Sequence, residues 1–220
     1  MRKAEINFYF DYLSPYAYLA WLRVQKLCNQ YGCNLKNHPI LLAGLLNHWK
    51  QLGPAEIPPK REFVFKDTYR FAKTHNIPFR LPKSHPFNPL MPLRLSLKET
   101  AGDQQTQVIN TLWQASWGQG RDISTVEELT KILDEAQLPT SKLLEKIQDP
   151  AIKEKLKSET SDAIAQGVFG VPTFIIDGEL FWGNDQLTYL EMHIQGQDPL
   201  DLTPAELEFL HSHPRSASRI

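Results

Sequence analysis

Phe8-Tyr9-Phe10-Asp11-Tyr12-Leu13-Ser14-Pro15-Tyr16-Ala17-Tyr18 joins a β-rich run, Ile6 to Phe10, to a stretch with helical spacing at Tyr18, Trp21, Leu22 and Gln25. Proline is tolerated where a helix opens, because the first amides lack intrahelical partners anyway. Ser14 is therefore expected at the N-cap, its hydroxyl beside free backbone N–H groups. A helix start of this kind favours an anion set against it. The window Ser14-Pro15-Tyr16-Ala17 contains no sulfur.

Working outward, the alternating aromatic and β-branched residues 5–12 predict a strand. A helix follows from Pro15 to Tyr31, stopped by Gly32, and a second strand runs from Asn34 to Leu42. Strand, helix, strand in this order implies a right-handed crossover and a parallel pair. From Ala43 the pattern turns helical: a short helix around Leu45, Leu46 and Trp49, a break at Gly53-Pro54, and a helix from Lys60 to His75. The stretch from Pro78 to Pro89 reads as an ordered loop, too aromatic for a disordered linker and expected to pack over something. Helices follow over 90–101, 103–117, 124–136, 141–146 and 150–166. Ser124 with Glu127 reads as a capping box, and Asp149-Pro150 as a helix start. The strand pattern returns at 172–177, turns on Asp177-Gly178 and resumes at Leu180-Phe181-Trp182, a strong hairpin signal. Gly183-Asn184-Asp185 is expected to cap a last core helix over 186–194. Thr203-Pro204-Ala205-Glu206 opens one more helix, and Pro214 to Ile220 reads as frayed.

The 220 residues carry a formal net charge of −1, with 41% hydrophobic and 22% charged residues. That balance argues against a nucleic-acid face. No apolar run approaches a membrane span, and the start lacks a signal-type hydrophobic segment, so a cytoplasmic protein is expected. The two cysteines, Cys28 and Cys33, fit that compartment and are expected to be inert thiols. The histidines show no ligand spacing, so no metal is expected.

The pattern βαβ, all-helical insertion, ββα is that of an α/β thioredoxin-like fold interrupted after its second strand, the DsbA-like arrangement. The expected division is 1–43 with 167–200 for the thioredoxin-like halves, 44–166 for the insertion, and 201–220 for a C-terminal helix and tail. In such folds the first cysteine of C-x-x-C stands where Ser14 stands here. The anion-holding geometry is kept and the disulfide chemistry discarded, so a thiolate held there has to come from a ligand. Val171-Pro172 at the start of a strand, ahead of a hairpin and a helix, predicts a cis bond facing Ser14. Such a bond turns the Val171 N–H and C=O toward a peptide backbone. A small thiol-bearing peptide such as glutathione meets both demands.

Several further motifs accompany these two: Asp11-x-x-Ser14-Pro15-Tyr16, Pro86-Phe87-Asn88, Gly118-x-Gly120-Arg121-Asp122-Ile123, Gly167 to Phe174, and Leu180 to Asp185. Together the set resembles the 2-hydroxychromene-2-carboxylate isomerase family, which is similar to kappa-class glutathione transferases. The resemblance runs over nearly the whole chain except the tail. It implies a glutathione-dependent cis–trans isomerase of an aromatic-degradation intermediate, working as a homodimer. It further implies that Ser14 holds the glutathione sulfur, that Pro15 and Tyr16 line the same end, and that Val171 beside Pro172 pairs with the cysteinyl backbone. Asn184 and Asp185 would receive the γ-glutamyl end. An acidic substrate needs cations, for which Lys60, Arg61 and Arg94 are candidates, with Asn88 as a polar contact. Several family members carry an Asn in the loop that here reads Gly53-Pro54-Ala55-Glu56. Asn47 and His48 are the nearby candidates to replace it.

Two rival readings share this site. One is a kappa-like glutathione transferase or peroxidase, and the other a redox-inactive module that binds thiol peptides without turning anything over. A disulfide oxidoreductase fits least well, because Ser14 and Ala17 leave no exchangeable pair.

Overall fold

The computed structural model describes residues 4–212. The chain enters through β1 (Glu5–Phe10), passes through helix α1 (Pro15–Tyr31) and returns as β2 (Asn34–Pro39), parallel to β1 from Glu5↔Asn34 to Phe10↔Pro39. After a long helical excursion come β3 (Thr173–Ile176), antiparallel to β1, and β4 (Glu179–Trp182), antiparallel to β3. The sheet order is β2-β1-β3-β4, the mixed sheet of a thioredoxin fold. Gly32 takes a left-handed conformation (φ 68°) and its N–H bonds back to the Cys28 carbonyl, which ends α1. The hairpin turns on Asp177 and Gly178 at φ 51° and 87°, the positive values a tight β-turn of this hand requires.

Between β2 and β3 lie α2 (Leu42–Trp49), α3 (Pro58–Thr74), α4 (Leu90–Leu95), α5 (Lys98–Ala101), α6 (Gln105–Trp113), α7 (Val126–Glu135), α8 (Thr140–Lys146) and α9 (Pro150–Ala165). The chain closes with α10 (Leu187–Ile194) and α11 (Pro204–Ser212). The expected capping box holds α11: Thr203 Oγ1 accepts the Glu206 N–H, and the Glu206 carboxylate accepts the Thr203 N–H. Residues 214–220, expected to be frayed, lie outside the described residues. No described helix is long and apolar enough to cross a membrane.

Four boundaries depart from sequence expectation, each for a local reason. Residues 90–101 form two helices, because Leu97 is extended (φ −65°, ψ 142°) and the Ser96 hydroxyl is taken up by Tyr12 and by the Pro92 carbonyl. The expected helix over 103–117 loosens into a π segment at Gln114–Gly118, where the Trp117 indole reaches across to the Tyr12 carbonyl at 2.7 Å. Ser124 does not cap α7: its N–H and hydroxyl both bond Asp122 Oδ1, and Thr125 takes the cap, accepting from the Glu128 N–H. The second strand stops at Pro39, because Leu42 already opens α2.

One aromatic core joins the sheet to the insertion. Phe8 stacks on Phe10, Trp21 and Phe174 at ring separations of 5.3, 5.9 and 5.1 Å. Trp113 of α6 then packs on Phe10 and, at 4.4 Å, on Tyr12. These rings are fully buried, and each contributes about 2 kcal/mol by removal from water alone. The loop over 78–89 packs as expected: Phe79 stacks on Trp117 at 5.7 Å, and the Arg80 N–H bonds the Trp117 carbonyl.

Because the core is shared, thermal unfolding followed by circular dichroism and by tryptophan fluorescence should give one coincident transition. Trp113→Ala should lower that single transition by about 3–5 kcal/mol. Two separated transitions would show that sheet and insertion unfold independently.

Candidate active site

β1 delivers Asp11 to the end of the sheet, and the chain then turns so that the Ser14 N–H bonds the Asp11 carbonyl at 3.0 Å. Ser14 has extended dihedrals (φ −96°, ψ 111°), and its Oγ accepts the Ala17 N–H at 3.2 Å, the N-cap expected of Ser-Pro. Pro15 has no N–H, and the Ala17 and Tyr18 amides return to the Ser14 carbonyl. That leaves the Tyr16 amide as the remaining donor of the first turn. Ser14 is 6% exposed, so a charge placed against its hydroxyl would be largely withdrawn from water.

The Val171–Pro172 bond is cis, as the sequence predicts; His85–Pro86 is also cis, which it did not. Ser14 Oγ donates to the Val171 carbonyl at 3.3 Å, so the two halves of the anticipated site do meet. Around Val171 the packing is tight. A Cβ on Gly170 would come within 2.6 Å of the Trp182 indole nitrogen, so only glycine fits against that ring.

Asn184 is buried, but it does not cap α10. The N-cap there is Gln186, with no side-chain bond, and Asn184 Oδ1 instead accepts from Arg23 Nη1 at 3.0 Å, as does the Asn184 carbonyl. Asp185 is exposed beside it. Its charge is felt by Tyr16 and by Arg23, so these three groups lie near one another. The Tyr16 hydroxyl donates to Asp67 Oδ2 at 2.8 Å, and burial together with that carboxylate pushes the phenol far above its usual range. Tyr16 therefore stays neutral, its proton committed to α3.

The candidate substrate contacts Lys60, Arg61, Asn88 and Arg94, with His48 beside them as a fifth, are more scattered. Arg61 lies over the Phe65 ring at 5.7 Å. Phe65 meets His85 edge-on at 5.4 Å, and His85 Nε2 donates to the Leu13 carbonyl at 3.0 Å. That chain of contacts brings Arg61 to the Ser14 side. Lys60 and His48 are exposed, His48 edge-on to Trp49. Asn88 spends its Oδ1 on the Leu90 N–H at the start of α4. Burial lowers the pKa of Arg94. Among the described residues, no hydrogen bond or ion pair links Lys60, Asn88 or Arg94 to Ser14 or Val171. The Gly53-to-Glu56 loop closes on itself, Glu56 Oε1 accepting the Gly53 N–H at 2.6 Å, while Asn47 and His48 remain exposed.

Sequence reasoning assigned no role to Arg23, Asp67, His85 or Asp11. The partners of the first two lie 161 and 51 positions away, and His85 bonds across 72. Asp11 carried a signal, an acid directly after the aromatic run Phe8-Tyr9-Phe10. It is fully buried, and its oxygens accept the Leu13 N–H at 3.0 Å and the Leu42 N–H at 2.8 Å. Loss of hydration outweighs those two bonds and raises its pKa to about 7.

The mixed sheet, with a serine hydroxyl at the start of its first helix and no cysteine in that turn, defines a thioredoxin-type fold without a redox pair. The chain belongs to the DSBA-like thioredoxin domain family, whose sequence model matches residues 5–195. It is 30% identical over 196 residues to a 2-hydroxychromene-2-carboxylate isomerase of Pseudomonas sp. (strain C18), covering 87% of this chain and 90% of that one. It is 27% identical over 202 residues to glutathione S-transferase kappa 1 of Rattus norvegicus, covering 84% and 88%. The solved structure of a 2-hydroxychromene-2-carboxylate isomerase superposes with a TM-score of 0.80 at 28% identity, over 87% of this chain and 95% of that one. The relatives are thus enzymes of two kinds, isomerases and glutathione transferases.

An acid with a raised folded-state pKa holds its proton more tightly folded than unfolded. Its stabilising share is present below the unfolded carboxylate pKa and is lost as pH climbs through about 7. Asp11→Asn does not titrate. The melting-temperature advantage of the wild type over Asp11→Asn should therefore shrink between about pH 5 and about pH 8. A gap constant over that range would mean Asp11 is ionised throughout.

Proposed function

We propose that this protein is a glutathione-dependent cis–trans isomerase of the 2-hydroxychromene-2-carboxylate type. The observation that carries the reading is the Ser14 hydroxyl, seated at the start of α1 and within 3.3 Å of the Val171 carbonyl, where a redox relative would carry a cysteine. The residues present fit glutathione: a hydroxyl and a helix start for a thiolate, the backbone of half-buried Val171 beside that hydroxyl, and a carboxylate at exposed Asp185 for an ammonium. Ser14, the start of α1, Val171 and Asp185 would hold glutathione, which would supply there a thiol nucleophile for reversible addition to a conjugated double bond.

The chain's own part is to make that thiolate available. A free thiol has a pKa of about 8.5, so little is ionised at neutral pH. Ser14 Oγ gives up its long bond to the Val171 carbonyl and turns its hydrogen to the sulfur, and the Tyr16 N–H adds the first-turn dipole. Each pKa unit of depression corresponds to about 1.4 kcal/mol. Tyr16 and Pro15 form the wall beside the sulfur, with the Tyr16 proton held by Asp67 and withheld from the reaction. Val171, with Pro172 behind it, aligns the cysteinyl backbone. Asn184, fixed by Arg23, and Asp185 receive the γ-glutamyl end. The acidic electrophile sits on the α3 side, where Arg61 offers a cation over Phe65. Lys60, His48, Asn88 and Arg94 have weaker claims, and Asn88 is occupied as a helix cap.

The kappa-class relatives favour one second reading, conjugation of glutathione to an electrophile at the same site. Comparing ring-opening isomerisation with conjugation of an aryl halide separates the two. In whichever assay is active, Ser14→Ala should lower glutathione-dependent turnover by about tenfold or more while leaving the fold intact. Unchanged turnover would remove Ser14 from the chemistry, and no turnover by the wild type in either assay would overturn the proposal.

A further inference from the structure

Asp11 has no part in the chemistry just described, yet its surroundings are unusual. It is a fully buried carboxyl group with no cation against it among the described residues: loss of hydration and two backbone amides account for its altered acidity. Tyr12, the next residue, is a titratable neighbour that feels its charge, and the Tyr12 hydroxyl is turned away onto Ser96. His85, from the 78–89 loop, stops at the Leu13 carbonyl. From α9, the uncharged Thr160 approaches, its Oγ1 accepting the Leu41 N–H at 3.0 Å. Buried carboxyl oxygens need hydrogen-bond partners, so what those amides belong to is informative.

One is Leu13, immediately before Ser14. The other is Leu42, the first residue of α2, whose own N-cap residue Leu41 makes no side-chain capping bond. Asp11 therefore caps α2 from outside the helix. The far end of α2 is also tied, since Trp49 Nε1 donates to the Val168 carbonyl at 3.0 Å. Val168 lies three residues before Val171, and the Val171 carbonyl accepts from Ser14 Oγ. The path closes on itself: the Asp11 carbonyl to the Ser14 amide, Ser14 to Val171, Val168 to Trp49, and Leu42 back to the Asp11 carboxylate. One side chain thus sits at the junction of both rims of the cleft.

We propose that Asp11 is a positioning residue that, through the backbone of α1 and the whole of α2, sets the separation between Ser14 and Val171. It touches neither the ligand nor the reacting atoms. An α-helix of eight residues is a stiff spacer about 12 Å long, so a shift at its start is transmitted to Trp49 and on to the Val168–Val171 segment. The role in ligand binding rests on the proposed glutathione site; the mechanical coupling does not.

The test begins without ligand, by hydrogen–deuterium exchange of the full chain. Asp11→Asn keeps shape and volume but replaces one acceptor by a donor that faces a backbone N–H. It should speed exchange in residues 166–174 by about threefold or more, although that segment is remote in sequence. Trp49→Phe keeps an aromatic ring but removes the bond to Val168, and should do the same. If both act through α2, the double variant should exchange no faster than the faster single one, a non-additive cycle. Leu133→Ala, in α7, loses stability in the core and controls for general loosening; it should leave 166–174 close to wild type relative to its other segments. Calorimetry with glutathione follows. Asp11→Asn should weaken binding by about tenfold, and Leu133→Ala by less than about twofold.

Unchanged exchange in 166–174, or additive effects of Asp11→Asn and Trp49→Phe, would overturn the positioning role even where glutathione binds. A wild type that binds no glutathione but shows the non-additive coupling would sink the functional reading and leave the positioning role standing. Equal loss of binding in Asp11→Asn and Leu133→Ala would reduce Asp11 to an ordinary contributor to stability.

Discussion

A carboxylate at the buried end of a strand must be met by something, and here two backbone amides meet it. Asp11 takes the N–H of Leu13 and the N–H of Leu42, and the first turn of α1 and the start of α2 are pinned to the same point. The alternative, buried carboxyl oxygens and amides without partners, costs about 1–3 kcal/mol for each group, so the two helix starts are held to one point. Ser14 inherits its place from this arrangement, and the groups that define the cleft are arranged around Ser14.

The rest of the architecture supports that junction from behind. β1 is central in the sheet, flanked by β2 and β3, and its Phe10 ring meets Trp113 of the insertion. The Trp117 indole bonds the Tyr12 carbonyl, so the residue after Asp11 is held by the helical part while Asp11 holds α2. The insertion acts as a backing for the strand end as well as a cover.

Much of this was legible in the chain because the signals were local. Pro15 after Ser14, Gly32 after Tyr31 and Asp177-Gly178 between two apolar runs each dictate a backbone conformation within a few residues, and each appears where it was expected. Illegible features depended on competition or distance. Ser124 satisfied a capping pattern, but Asp122 two residues earlier captured its hydroxyl, and Thr125 took the cap. The break at Leu97 follows from Ser96 serving a tyrosine 84 positions away. Asn184 looked like a helix opener and proved to be an acceptor for Arg23, a partnership no spacing rule contains. Of the candidate site, the hydroxyl and the cis-proline could be read. The groups that orient them could not, since their partners meet only once the chain is folded.

Of the protein's five tryptophans, Trp21, Trp113 and Trp117 are sealed in the core, whereas Trp49 and Trp182 are 40% and 50% exposed. Both of the latter stand on the cleft rim, one bonded to Val168 and the other against Gly170. A soluble collisional quencher therefore reaches indoles only beside the mouth of the site. The molecule carries an optical gauge of its Val168–Gly170 segment: quenchable emission reports on those two rings, while the three interior ones give a steady background of blue emission.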